Sequence, residues 1–221
     1  MAVHYSTESM TPEALFAGAN DNYTADEVVV LAGQGKLTRG TVLGKILYAI
    51  GAPAAAEGNT GTGTITGHAL LDGAKIGTYT LKCITTAANG GTFSVVDPDG
   101  VRLDDAVVGT AYSGGGITFK INDGTGDGSA DFAAGDTFTI EVSAGSGSYK
   151  KVLSTAVDGS QHADCILGED VDATLAAATA GAYFQGEFCE DYLTFGGTDT
   201  ADTHRATLQA KGIILRSSVP A

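Results

Sequence analysis

Short runs of alternating apolar and polar residues recur along this chain, separated by glycine-rich breaks. The alternation is clearest at Tyr79, Leu81 and Cys83 and again at Phe138, Ile140 and Val142. Period-two patterning of this kind marks a strand with one buried face. About six or seven such strands are predicted in the middle of the chain. They centre on Gly63–Ala69, Gly77–Thr85, Gly91–Val96, Asp105–Val108, Ile117–Ile121 and Thr137–Val142. Asp97-Pro98-Asp99-Gly100 between two of them is a turn sequence, with proline and glycine at the positions a turn favours. Short strands with glycine-rich turns suggest a small sandwich, immunoglobulin-like in outline. No Cys–Trp–Cys pattern fixes its topology.

The flanking segments read differently. Val28–Leu31 is a short strand, Ala32–Gly35 a turn, and Leu37–Ala49 one or two strands bent at Gly40 and Gly44. Beyond residue 148, strands are predicted at Val152-Leu153, Cys165–Leu167, Ala182–Phe188 and Tyr192–Phe195. Residues 174–181 read as a helical turn or a loop of small residues. Asp199–Lys211 has a helix pattern with Gly212 as its stop, and Gly212–Leu215 reads as a final strand. Gly51–Gly63 and Ser143–Ser148 are small-residue seams of the kind that bound domains. The expected architecture is mainly β, an α+β core with one C-terminal helix, cut open by an inserted β-sandwich. The expected boundaries are 28–56 with 149–221 for the core and 57–148 for the insert. Residues 1–27 precede both. Their few apolar anchors are Tyr5, Met10, Leu15, Phe16 and Tyr23. That is too little apolar surface to offset chain ordering alone, so the segment is either a loose terminus or an arm that orders on a partner.

Composition narrows the function. With 32 glycines, 43% hydrophobic residues and no tryptophan, the chain suits a β protein with many tight turns. The net charge of −14 opposes binding to nucleic acid through phosphates. The charge is evenly spread: residues 57–148 carry 11 acidic against 4 basic side chains and the remainder 15 against 8, so each part holds −7. Cys83, Cys165 and Cys189 are odd in number and lack CxxC spacing, which predicts reduced, buried thiols made in a cytosol. The first residues lack a basic apolar signal, and no apolar run approaches the ~20 residues that cross a bilayer. The expectation is a soluble protein, synthesised in the cytoplasm, with no membrane partner.

Candidate chemistry is sparse. Asp123, Asp127 and Asp131 are spaced four apart in a glycine-rich stretch, which makes them weak calcium candidates. The spacing misses the EF-hand pattern, so a solvated hairpin tip is the competing reading. His162, Asp164 and Cys165 lack the further ligands a zinc site needs. Glu187, Glu190 and Asp191 are neighbouring carboxylates, but a glycosidase needs two of them across a cleft. No serine has a triad context, and no phosphate-binding loop is present. The expectation is a structural or binding protein, not an enzyme, with no cofactor, no resident metal and no catalytic residue.

The outer segments resemble the head decoration proteins of tailed bacteriophages, the lambda-type capsid decoration family. The resemblance rests on Ala156-Val157-Asp158-Gly159 with Ala163 and Ile166-Leu167, and on Tyr183–Phe188 followed by Glu190–Leu193. It extends to the helix running into Lys211-Gly212-Ile213-Ile214-Leu215. Ala32–Gly35 and Arg39–Gly44 add features of longer members. The matches cover residues 28–50 and 149–216. The resemblance implies a homotrimer on the outer surface of the expanded capsid, at three-fold and quasi-three-fold positions. There it would clamp the major capsid protein against the pressure of packaged DNA. It further implies that residues 1–27 are an arm ordering on the capsid, with Tyr5, Met10, Leu15, Phe16 and Tyr23 as anchors. Short members join the two segments directly, so the role of the insert does not follow from the family. The alternative is a virion-surface adhesion module whose insert binds host glycans or a receptor.

Overall fold

The computed structural model describes residues 15–17, 23–124 and 131–217. The chain forms two compact units, one of residues 1–45, 148–155 and 160–221 and one of residues 46–147 and 156–159. In chain order the first unit opens with β1 (Thr24–Val30), β2 (Gly35–Leu37) and β3 (Val42–Lys45). The second holds β4 (Tyr48–Ile50), β5 (Ala54–Ala55), β6 (Thr64–Leu70), β7 (Gly77–Ala87) and β8 (Gly90–Val96). It continues with β9 (Ala106–Val107), β10 (Ala111–Gly114), β11 (Ile117–Asn122) and β12 (Thr137–Ala144). The first unit then resumes with β13 (Tyr149–Lys151), β14 (Ala163–Leu167), β15 (Val171–Ala173) and β16 (Ala178–Cys189). A 3-10 turn (Glu190–Tyr192), α1 (Ala201–Ala210) and β17 (Ile213–Arg216) follow. The described structure is mainly β, with its α-helix near the C-terminus.

In the first unit five strands pair in a closed ring, β1-β13-β3-β14-β16, because β1 bonds to both β13 and β16. Closure removes the open edges that a flat sheet would expose. The interior is filled by alternate residues of every ring strand: Val28 and Val30, Tyr149, Leu43, Cys165 and Leu167, Ala180 and Ala182. Alanines on β16 leave room for Tyr149 and the leucines, a small-with-large arrangement that suits a narrow barrel. Leu37 and Ala173, from the separate β2–β15 pair, join the same cluster. A second cluster lies on the opposite faces of these strands. It gathers Val42, Ile166 and Phe188 with Leu208 of α1 and with Ile213 and Leu215 of β17. β17 runs parallel to the end of β16, as expected after a helical crossover.

Two local devices explain how β3 and β14 lie where they do. A register shift between Ala163 and Cys165 places Asp164 in a bulge against β3. The bulge lets Ala163 face the helix-side cluster and Cys165 the barrel interior, although they are two residues apart. Gly44 is required by contact: a Cβ there would collide with the Ser160 carbonyl. Gly40 is required by conformation, with φ +87°, and by the Tyr192 carbonyl packed over it.

The second unit has two sheets, β4-β12-β7-β8-β9, with β5 also on β12, and β10-β11-β6. Both contribute to one hydrophobic cluster. Tyr79, Leu81, Phe93, Val95, Phe138 and Ile140 come from the first sheet, and Tyr112, Ile117, Phe119 and Ile121 from the second. Residues 46–56, read from sequence as the end of the core and a linker, instead pair here: Tyr48–Ile50 lies against Val142–Ala144 and Ala54–Ala55 against Phe138-Thr139. Residues 156–159 return to this unit, where the Asp158 carbonyl accepts from the backbone of Leu47 at 2.7 Å and Tyr48 at 3.0 Å.

Candidate functional site

Residues 15–17 lie along the last part of β16. Ala17 donates its backbone N–H to Glu187 O at 3.1 Å, and Cys189 donates to Leu15 O at 2.9 Å. Phe16 thereby sits in an antiparallel bridge with Phe188. Leu15 is buried among Val42, Phe188 and Leu208, while Phe16 packs on the rings of Tyr23, Tyr183 and Phe188 with centroids 5.5, 5.1 and 5.1 Å away. From Thr24 the chain runs in β1 along β16, Thr24 opposite Gln185 through to Val30 opposite Ala178.

This revises part of the expectation for residues 1–27. Leu15 and Phe16 pack on their own chain. Thr24–Glu27 is strand, fixed by backbone pairing although all four side chains are exposed. Tyr23 is half exposed beside Phe16. Tyr5 and Met10 lie outside the described residues.

Of the carboxylates singled out from the sequence, Glu187 and Glu190 are engaged in ion pairs. Glu187 meets Arg216, and Glu190 meets both Arg205 and the Ser217 hydroxyl. The Ser217 hydroxyl and then Arg205 hold the Glu190 carboxyl below its usual range. The pair is therefore a clasp between the 3-10 turn, α1 and the end of β17. His162 is exposed, Cys165 is fully buried, and Asp164 accepts from Lys211 at 2.6 Å and from the Tyr149 hydroxyl at 3.0 Å. Burial, with Asp164 adjoining, pushes the Cys165 thiol and the Tyr149 hydroxyl well above their ordinary values. Asp127 lies outside the described residues. Among the described residues, Asp123 and Asp131 belong to no group of three or more side chains able to hold a metal ion.

One constellation was not visible in the sequence. Asp199 accepts the Ser154 hydroxyl and backbone N–H, both at 2.6 Å, and lies 2.9 Å from His204 Nε2. His204 is 2% exposed, and its ring stacks on Phe195 at 5.7 Å. The residue types are those of a hydrolase triad, but the order is wrong. The carboxylate stands between serine and histidine, so the imidazole does not reach the hydroxyl whose proton it would have to take. The arrangement ties the segment after β13 to the start of α1. Thr200 and Thr203 complete the helix start with a capping box. The Ser154 hydroxyl, followed by His204, holds the Asp199 carboxyl below its usual range despite burial.

Among the described residues, the exposed large apolar side chains of the first unit are Tyr23, Val29, Leu175 and Tyr192. A depression of about 340 Å³ is lined by Lys36, Leu37, Thr38, Asp170, Val171 and Asp172. Arg39 fastens the turn above it, its backbone N–H on Asp170 and its Nε on the Gly168 carbonyl.

Comparison with solved structures finds crystal structures of Xanthomonas campestris FlgL in two crystal forms. They are 20% identical in both, with TM-scores of 0.32 and 0.31 over 49% and 54% of this chain. It also finds the flagellar junction protein FlgL from Legionella pneumophila, 17% identical, with a TM-score of 0.30 over 50% of this chain. The chain spans about a third of the length of those flagellar proteins, 33% and 37%. No curated protein matches. A sequence model of bacteriophage lambda head decoration protein D matches residues 4–213. With a match over nearly its whole length and residues of both units included, the chain belongs to the bacteriophage lambda head decoration protein D family.

Proposed function

We propose that this protein binds the exterior of the expanded phage head as a homotrimer at three-fold and quasi-three-fold sites, and braces the shell against the pressure of packaged DNA. The observation that carries the reading is the family match over residues 4–213. The action is mechanical. Each copy adds modest contact with the major capsid protein, and linking three arms in one trimer multiplies the avidity. Leu15–Ala17 supports a specific division of the N-terminal segment. Two backbone hydrogen bonds and the Phe16 ring cluster fix the root of the arm on its own barrel. Residues 1–14, including Tyr5 and Met10, are then the part that pairs with coat-protein strands, by strand addition that depends little on side chains. The first unit is the mount, and the second is a module displayed on the outer surface of the virion. The acidic charge and the shortage of basic clusters fit a surface that neither nucleic acid nor a membrane holds.

The test is removal of residues 2–14 from the full chain, followed by co-sedimentation with expanded capsids and cryo-EM of the pelleted particles. The truncated chain should keep its oligomeric state and lose occupancy at three-fold positions. Undiminished occupancy would refute the arm assignment. Density from the full chain at other positions would refute the site.

A further inference from the structure

Leu175 is 95% exposed, the most exposed large apolar side chain among the described residues. It stands on the loop 174–177 between β15 and β16, with Ala176 and Ala177 exposed beside it. At that exposure it covers nothing on its own chain. The chain carries no charge between Asp172 and Glu187, although the molecule as a whole holds −14. Val29, 46% exposed, lies directly opposite Thr179 in the adjoining β1–β16 ladder. A depression is lined by Leu37, Thr38 and Val171, with Lys36, Asp170 and Asp172 around it. β15 contributes to its wall and runs directly into the Leu175 loop. Of the surrounding charges, Lys36 is 3.9 Å from Asp172, and Asp170 accepts the backbone N–H of Arg39.

We infer that loop 174–177 and this depression are the two halves of one head-to-tail contact between copies of this chain, with Leu175 of one copy seated over Thr38 and Val171 of the next. The inference rests on the homotrimer reading above and assigns its seam. Charge favours a second copy as the occupant. Two molecules at −14 repel, which favours a seam where like charges do not oppose each other: the Leu175 loop is neutral, and at the socket Lys36 lies beside Asp172. Geometry favours a ring. A knob and a socket at different places on one surface make a heterologous contact, which closes into a cycle when the rotation allows. Here the knob adjoins the socket, so a closed ring needs few copies.

The test is sedimentation velocity on the full chain and on Leu175→Asp and Thr38→Arg. Both altered positions are exposed, so the fold is preserved. The wild type should sediment as a trimer. Each variant should weaken association by roughly tenfold or more, as for a central apolar anchor. Leu175→Met, which keeps the apolar knob, should retain the trimer. An equimolar mixture of the two variants should yield a 1:1 dimer, because one retains the socket and the other the knob. A monomeric wild type, a Leu175→Asp variant that still forms the trimer, or a mixture without the dimer would each overturn the inference. Capsid occupancy separates this from the decoration reading. A wild type that forms the ring but leaves capsids bare would sink that reading and leave this contact standing.

Discussion

Replacing Asp199 by Asn should loosen the first unit and leave the second untouched. The carboxylate accepts three hydrogen bonds, two from Ser154 at 2.6 Å and one from His204 Nε2 at 2.9 Å. An amide keeps one accepting oxygen and turns an N–H₂ group toward a donor. At least one charge-assisted bond is lost, worth about 1.5–3 kcal/mol, and the remaining ones weaken, so a loss of about 2–4 kcal/mol is expected. The pH dependence has a definite sign. The folded carboxyl titrates below its unfolded value, so the unfolded chain binds more protons in acid. The stabilisation is complete above the unfolded value of about 3.9 and is lost as pH falls through the folded one. The gap between wild type and Asp199→Asn should therefore be full at pH 7 and shrink below about pH 4. Hydrogen exchange along a urea series, read by mass spectrometry, resolves the units separately. Peptides from α1 and β17 report the first unit, and peptides from β7 and β8 provide an internal control. The reasoning fails if the α1–β17 peptides of the variant match wild type at pH 7. It also fails if the gap stays constant down to pH 3.

The same measurement checks three further expectations. Gly44→Ala drives a Cβ into the Ser160 backbone, which cannot swing aside as a side chain would, so the first unit should lose about 1–3 kcal/mol while β7 and β8 are unaffected. Phe16→Ala removes ring contacts with Tyr23, Tyr183 and Phe188 from a partly exposed position; a loss of about 2 kcal/mol in protection at Glu187–Cys189 is expected, and unchanged exchange there would show that the arm root is not held by its ring. Lys45 lies directly opposite Tyr149, so replacing residues 46–148 by Asn-Gly should close a two-residue hairpin and leave a folded barrel; an aggregated or unfolded product would refute the independence of the first unit.

Where one face of a strand is buried and the other is wet, the sequence reads directly. Tyr79, Leu81 and Cys83 alternate with Thr80 and Lys82, and β7 lies where that pattern indicates. α1 was legible for the same reason, from its threonine start and glycine stop. What escaped has its cause elsewhere in the chain. Ala54-Ala55 has the composition of a linker, and only the edge of β12 makes it a strand. Thr24–Glu27 shows no apolar period because all four side chains are exposed, and it is held through its backbone by β16. Leu15 and Phe16 stand out as apolar in a polar segment, but nothing near them in sequence points to Phe188, which is far along the chain. Ser154, Asp199 and His204 are each unremarkable polar residues in sequence; burial and the approach of two distant segments make them a unit.

The closed ring of the first unit has a consequence for assembly of the chain on the ribosome. β1 and β3 are made early, but β13, which bonds to both, follows only after residues 46–147 have been synthesised. Joining Lys45 to Tyr149 through a disordered stretch would carry the full closure entropy of a loop of about a hundred residues. The second unit removes most of that penalty. Its own strands β4 and β12 bring Tyr48 opposite Ala144, so once it has folded the two ends of residues 46–147 are already side by side. The long loop is thereby shortened to a few residues, and β13 is delivered next to β3. Nearly all of the second unit is one continuous stretch that can complete before the barrel does. The second unit can thus act as a template for closure of the first.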